Sequence, residues 1–249
     1  MAEPPPLLRI KAVAGVVQAQ PFDCPAEQQS SPWHLPGQVA LSGTSPNTAE
    51  RGPAPSPGPS PPLGGGPTAA DYRQNLKATP AGWPVRSQWC VWIEPSSGGA
   101  QAGPFEARWL RAVEAALASW QAELPIQRVA SPNQAQVRLW RRKPPLEPGA
   151  DGALRASHGR ALLELRQVQR LGQWQLEPQV EVVISPGQRP EAIQATSLHE
   201  LGHGFGLWGH SDDSGDAMAV SPNAKPVLDL SARDRATLRW LLLQPGLGP

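Results

Sequence analysis

Cysteine, histidine, most aromatics and charge are all scarce in this 249-residue chain. It holds 2 Cys, 1 Tyr, 3 Phe and 5 His, and 17% of its residues are charged. Two cysteines make no disulfide framework; they allow one bridge or two free thiols, so composition does not set the redox compartment. Neither sign of charge dominates. The 22 Lys+Arg and 21 Asp+Glu leave a formal net charge of +1, which argues against a chain built to coat nucleic acid or an acidic membrane. No apolar run approaches the ~18 residues that span a bilayer. The best, Ala12–Val17, follows Arg9 and Lys11. It falls short of the roughly 7–15 apolar residues of a secretory signal, and no clear Ala-x-Ala site follows, so the sequence leaves export open.

Proline and tryptophan, in contrast, are plentiful, at 31 and 10 residues, and about half of the prolines precede residue 81. Arg51–Pro67 is Pro/Gly/Ser-rich with no apolar periodicity, which reads as a spacer. Residues 1–80 are accordingly expected to be a disordered N-terminal region, and 81–249 one domain long enough to bury a core.

Within that domain, order is expected from about Trp83. Gln88–Glu94 alternates and is aromatic, which predicts a strand closed by Pro95. Pro104 suits a helix start, and Phe105, Trp109, Val113, Ala116, Leu117 and Trp120 recur as one buried stripe until Pro125 stops it. Ile126–Val129 and Gln136–Trp140 read as one interrupted strand or a hairpin. A basic loop from Arg141 to Gly159 follows, its Arg141-Arg142-Lys143 a solvated turn. Ala161–Val168 and Gln179–Ile184 read as strands, with Trp174 in the turn region between them. A helix opens at Arg189-Pro190-Glu191 and ends at or just after Gly204, where Gly204, Gly206 and Gly209 crowd together. Ser231 is the expected N-cap of a last helix through Leu238, Trp240 and Leu241. This order predicts an α+β fold.

The informative segment is Ser197–Val220. It contains His199-Glu200-x-x-His203. Residues four apart lie on one helix face, so two imidazoles can share one ion. Glu200 is offset from that ion but can hold a water bound to it. Gly206 stands where the chain must double back, a place for positive φ. His210 then arrives as a third nitrogen, and Met218 lies eight residues further on. His34 and His158 read as solvated loop residues.

This run resembles the metzincin zinc signature H-E-x-x-H-x-x-G-x-x-H with its Met-turn, and within that clan the matrixin-like peptidases of the bacterial type. His210-Ser211-Asp212 through Gly215-Asp216-Ala217-Met218 carries the likeness, and a weaker one extends over roughly residues 85–245. The resemblance implies a metzincin-like catalytic domain. Its parts are a twisted mixed sheet, two long helices, a Met-turn and a C-terminal helix opened by Leu230-Ser231-Ala232-Arg233-Asp234. It further implies one catalytic zinc on His199, His203 and His210, Glu200 as general base in peptide-bond hydrolysis, and Gly206 and Met218 as supports of the site. One position departs. The family's third histidine falls at Gly209 here, so His210 comes one residue late. The kept spacing to Met218 favours His210 as ligand through a bulge at Gly209; Asp212, Asp213 and Asp216 are the substitutes. No structural zinc is expected, because His158 is the one histidine in the preceding loop region; calcium stays open.

By the same resemblance an extended protein or peptide substrate pairs with an edge strand, here Ala161–Val168, and residues through Pro222 and Asn223 wall a side-chain pocket. A propeptide cysteine keeps some relatives latent. Cys24 lacks the surrounding motif and reads as an incidental thiol, Cys90 as a small core residue. Two other readings stand beside the zinc endopeptidase. One is a catalytically silent domain of the same fold that binds peptides or a partner protein, against which the retained Glu200 speaks. The other is a hydrolase whose third ligand is a downstream glutamate, which is disfavoured because no Glu follows Glu200.

Overall fold

The computed structural model describes residues 22–34, 70–96, 98, 103–148, 154–220 and 225–248. The spacer Arg51–Pro67, the run Ala12–Val17 and the pocket residues Pro222 and Asn223 lie outside these. Eight strands occur in chain order: β1 (Gln29–Pro32), β2 (Trp89–Ile93), β3 (Ile126–Arg128), β4 (Val137–Trp140), β5 (Glu147–Pro148), β6 (Leu154–Arg155), β7 (Gly159–Arg170) and β8 (Gln173–Ile184). The helices are α1 (Pro104–Gln121), α2 (Pro190–Gly204) and α3 (Ala232–Leu242). The fold is α+β. Six strands form one mixed sheet in the order β1-β7-β8-β4-β2-β3, and β5 and β6 pair separately. Among the described residues no helix is long and apolar enough to cross a membrane.

Strand β2 is buried along its whole length and receives parallel neighbours on both sides, β3 and β4. Ile126–Arg128 and Val137–Trp140 are therefore neither one interrupted strand nor a hairpin; the turn at Ser131–Ala135 carries the chain from one side of β2 to the other. Trp89, Val91 and Ile93 of β2, with Val137, Leu139, Val180, Val182 and Ile184, face α1 and α2 in the core. Helix α1 buries Trp109, Ala112, Val113, Ala116, Leu117 and Trp120. Its indoles are also polar anchors. Trp109 donates to the Ile184 carbonyl at 3.2 Å and Trp120 to the Leu198 carbonyl at 3.0 Å, which ties α1 to β8 and α2. Phe105, expected in the buried stripe, is 67% exposed and carries Arg108 over its ring. Arg141, expected as a solvated turn residue, instead pairs with Glu106 at 2.8 Å and lies over Trp109. Its guanidinium thus meets both a carboxylate and an aromatic face.

Strands β7 and β8 form a twelve-residue hairpin, longer at both strands than periodicity predicts. Its connection is only Leu171-Gly172, at φ +49° and +79°, the geometry of a two-residue hairpin turn. Trp174 consequently stands in β8, half exposed, rather than in the turn.

The largest correction concerns the N-terminal third. Residues 22–34 and 70–80, assigned by composition to a loose region, are built into the fold. Strand β1 pairs antiparallel with Arg166–Gln169 of β7, and Tyr72 and Leu76 join the core. Cys24 and Cys90 form a disulfide, so Cys24 is neither an incidental thiol nor a free zinc cap, and Cys90 is more than a core residue. The buried Arg170 strengthens the same attachment. It grips the buried Glu177 carboxylate through Nε and Nη2 and donates to the carbonyls of Pro25 and Asn133. A buried cation is tolerated here because a carboxylate and carbonyls satisfy it.

The 66-residue separation of Cys24 and Cys90 sets the expected size of that staple. Loop-closure entropy predicts that Cys24→Ser with Cys90→Ser loses about 4 kcal/mol of unfolding free energy. Urea unfolding of oxidised wild type against the double variant measures it; equal midpoints would show that the attachment of β1 does not depend on the disulfide.

Candidate metal centre

Helix α2 carries His199, Glu200 and His203 in its last two turns. It stops because Gly206 adopts φ +104°. The Gly206 N–H then bonds the His203 carbonyl and the Leu207 N–H reaches the Gly202 carbonyl, closing a glycine C-cap. A Cβ at Gly206 would lie 2.9 Å from the Pro84 carbonyl oxygen, so both conformation and space demand glycine there.

The reversed chain brings His210 back to the helix. Ring centroids are 4.9 Å apart for His199 and His203, 5.2 Å for His199 and His210, and 4.9 Å for His203 and His210. Each residue offers one ligand atom, and these atoms lie within 4.8 Å of one another. This is the group among the described residues that could hold a metal ion. Two of the rings have their tautomers set. The Nδ1–H of His199 donates to the Ala217 carbonyl at 2.9 Å, and the Nδ1–H of His203 donates to the Leu207 carbonyl at 2.8 Å. A carbonyl only accepts, so each Nδ1 carries the proton and each Nε2 keeps its lone pair for an ion. Burial lowers the affinity of all three imidazoles for protons; burial and then the neighbouring His199 push His203 down to about 3. Neutral rings are the form that ligates. The donor set and the spacing therefore fit a metal ion.

Asp212, Asp213 and Asp216, the substitute ligands, are committed elsewhere. Arg233 on α3 reaches them at 2.7, 3.6 and 3.2 Å, and Asp216 also accepts from the Ser211 hydroxyl. All three have the same guanidinium as ion-pair partner, whereas His210 stands within reach of His199 and His203.

Met218 is fully buried beneath the ligand-bearing turn of α2. A Cβ on Gly202 would come 2.2 Å from its sulfur, so the glycine between His199 and His203 is what lets the sulfur approach. The turn holding Met218 is fixed by the Ser211 N–H to the Met218 carbonyl at 2.7 Å and the Val220 N–H to the Ser211 carbonyl at 3.1 Å. Glu200 lines the same cleft. Burial raises its carboxyl to about 7, opposed by the Ala161 N–H that donates to it.

Several residues of this site carry no motif in the sequence. Asp234 accepts from the Ala217, Met218 and Ser231 N–H groups and from the Tyr72 hydroxyl. Only its capping-box spacing from Ser231 was a signal, and that points to a helix start rather than to the metal centre. Asn75 and Tyr72 come from the region read as disordered. The cleft has a volume of about 750 Å³ and lies between Asn75–Thr79 on one side and Arg160–Leu163 on the other, with the histidines and Glu200 at its base. Part of the predicted edge strand is covered. β1 pairs with Arg166–Gln169, the Trp33 N–H donates to the Leu165 carbonyl, and among the described residues no strand pairs with β7 along the part that lines the cleft, on the side away from β8.

No protein-family model matches the chain, and a search of the curated proteins finds no match. Fold and site together define it as an α+β protein with a mixed sheet and a three-histidine cluster suited to a metal ion.

Two outcomes follow from this geometry. His210→Ala should weaken metal binding by at least about 100-fold, whereas Asp212→Asn or Asp213→Asn should leave it near wild type; competition with a chromophoric chelator reads all three. Asp234→Ala strands three buried donors and a half-buried one and should cost at least about 3 kcal/mol in a urea titration.

Proposed function

We propose that the chain is a zinc-dependent endopeptidase of the matrixin-like metzincin type. The observation that carries this reading is the joint placement of three imidazoles with Glu200 in one cleft lined by strand β7. Three nitrogens suit zinc, and three protein ligands are the number that catalytic zinc sites use. Zinc on His199, His203 and His210 would supply Lewis acidity toward a water and a peptide carbonyl.

The chain's own groups do the rest. Glu200, next to the first ligand and facing the cleft, takes the proton that the attacking water loses and returns it to the leaving amine. Strand β7 along the cleft would offer backbone groups to an extended peptide, which positions the scissile bond by main-chain pairing. The Nδ1 bonds of His199 and His203 keep both rings aimed at one point, so their geometry is set before substrate arrives. Met218 acts as an apolar floor to the ligand turn, and Gly206 delivers the chain to His210.

The full oxidised chain, loaded with one equivalent of zinc, is expected to cleave members of a diverse peptide library. Glu200→Ala should reduce cleavage by at least about 100-fold, the scale of a lost general base, while zinc stoichiometry stays at one. Mass spectrometry of the products with metal analysis of both proteins is the measurement. Zinc retained by a wild type that cuts nothing would favour the silent, peptide-binding reading of the same cleft.

A further inference from the structure

The loop from Gly206 to His210 is one residue longer than the pattern it resembles, and that residue is Gly209. A Cβ at Gly209 would lie 2.2 Å from the Asn75 carbonyl oxygen and 2.9 Å from the Leu76 Cα. The extra residue is therefore pressed flat against the segment Tyr72–Thr79. Two hydrogen bonds hold it there. The Asn75 side-chain amide donates to the His210 carbonyl at 2.9 Å, and the Lys77 N–H donates to the Trp208 carbonyl at 2.8 Å.

That segment is itself anchored. The Tyr72 hydroxyl donates to Asp234 at 2.7 Å, and the Tyr72 N–H donates to the Thr237 hydroxyl at 3.1 Å. Asp234 also accepts the Ala217 N–H at 2.8 Å, and the Ala217 carbonyl receives the His199 ring. A chain of bonds thus runs from the first imidazole through Ala217, Asp234 and Tyr72 to Asn75 and on to the backbone of the third.

We propose that Asn75 is a positioning residue for the metal centre: its amide clamps the His210 carbonyl and holds a lengthened loop so that the third imidazole meets the other two. The inference rests on the reading of the three imidazoles as a metal site. His210 needs this more than its partners do. Its ring is the exposed one of the three, and the other two have Nδ1 bonds to backbone carbonyls. Support that orients a ligand is worth 10–100-fold in metal affinity.

The test uses the full oxidised chain and zinc alone, with affinity read by chelator competition. Asn75→Ala and Asn75→Asp should both bind zinc about 10–100-fold more weakly than wild type. The aspartate variant keeps the shape, but its carboxylate cannot donate to a carbonyl. Cobalt substitution should show a weakened tetrahedral visible band in both variants. Because Asn75 acts through His210, Asn75→Ala should change nothing further in a His210→Ala background. Near-UV circular dichroism establishes that each variant is folded. Wild-type affinity in the aspartate variant, or an undiminished loss in the His210→Ala background, overturns the proposal. A wild type that takes up no zinc overturns the metal reading and the clamp together; zinc uptake indifferent to Asn75 overturns the clamp alone.

Discussion

Four donors converge on the buried carboxylate of Asp234, and the geometry of the three-histidine cluster hangs from it. Tyr72 comes from the N-terminal segment and Ala217 and Met218 from the turn under α2, both distant in the chain, while Ser231 is local, at the start of α3. A buried carboxylate left without donors would be costly, so folding these stretches together is the condition under which Asp234 can be inside at all. Once they are together, Ala217 is fixed and its carbonyl sets the tautomer and tilt of His199.

Glycine does complementary work around the same centre by leaving space. Gly202 lets the Met218 sulfur reach the ligand turn, Gly206 reverses the chain with a positive φ, and Gly209 lets the loop lie on the Asn75 backbone. The third imidazole is brought in by a backbone path that side chains would block. Arg233 on α3 pairs with the three nearby carboxylates, away from the histidine cluster.

The N-terminal segments turn an exposed sheet into a bounded cleft. β1 pairs along the far part of β7, and Asn75, Lys77, Ala78 and Thr79 line the cleft together with Arg160–Leu163. The Cys24–Cys90 disulfide and the Arg170–Glu177 pair hold the first of these in place, and Tyr72 holds the second. A chain paired to the sheet on one side of the cleft and to α3 on the other gives the site two fixed banks.

Much of this was legible from residue order. Helix periodicity alone places His199 and His203 one turn apart with Glu200 beside them, and glycine's tolerance of positive φ locates the reversal at Gly206. Proline at the first turn and serine at the N-cap mark where α1, α2 and α3 begin, because those rules act between near neighbours. What tertiary structure decided involves partners far apart in the chain. Asn75 meets His210 across 135 positions and Tyr72 meets Asp234 across 162. Proline-rich composition hid both, since a short segment that docks by hydrogen bonds and one buried ring has no period to read. The pairing of β3 and β4 on either side of β2, and the choice of His210 over three aspartates, follow the same logic. Local spacing offers candidates, and the burial and hydrogen-bond satisfaction of the folded whole select among them.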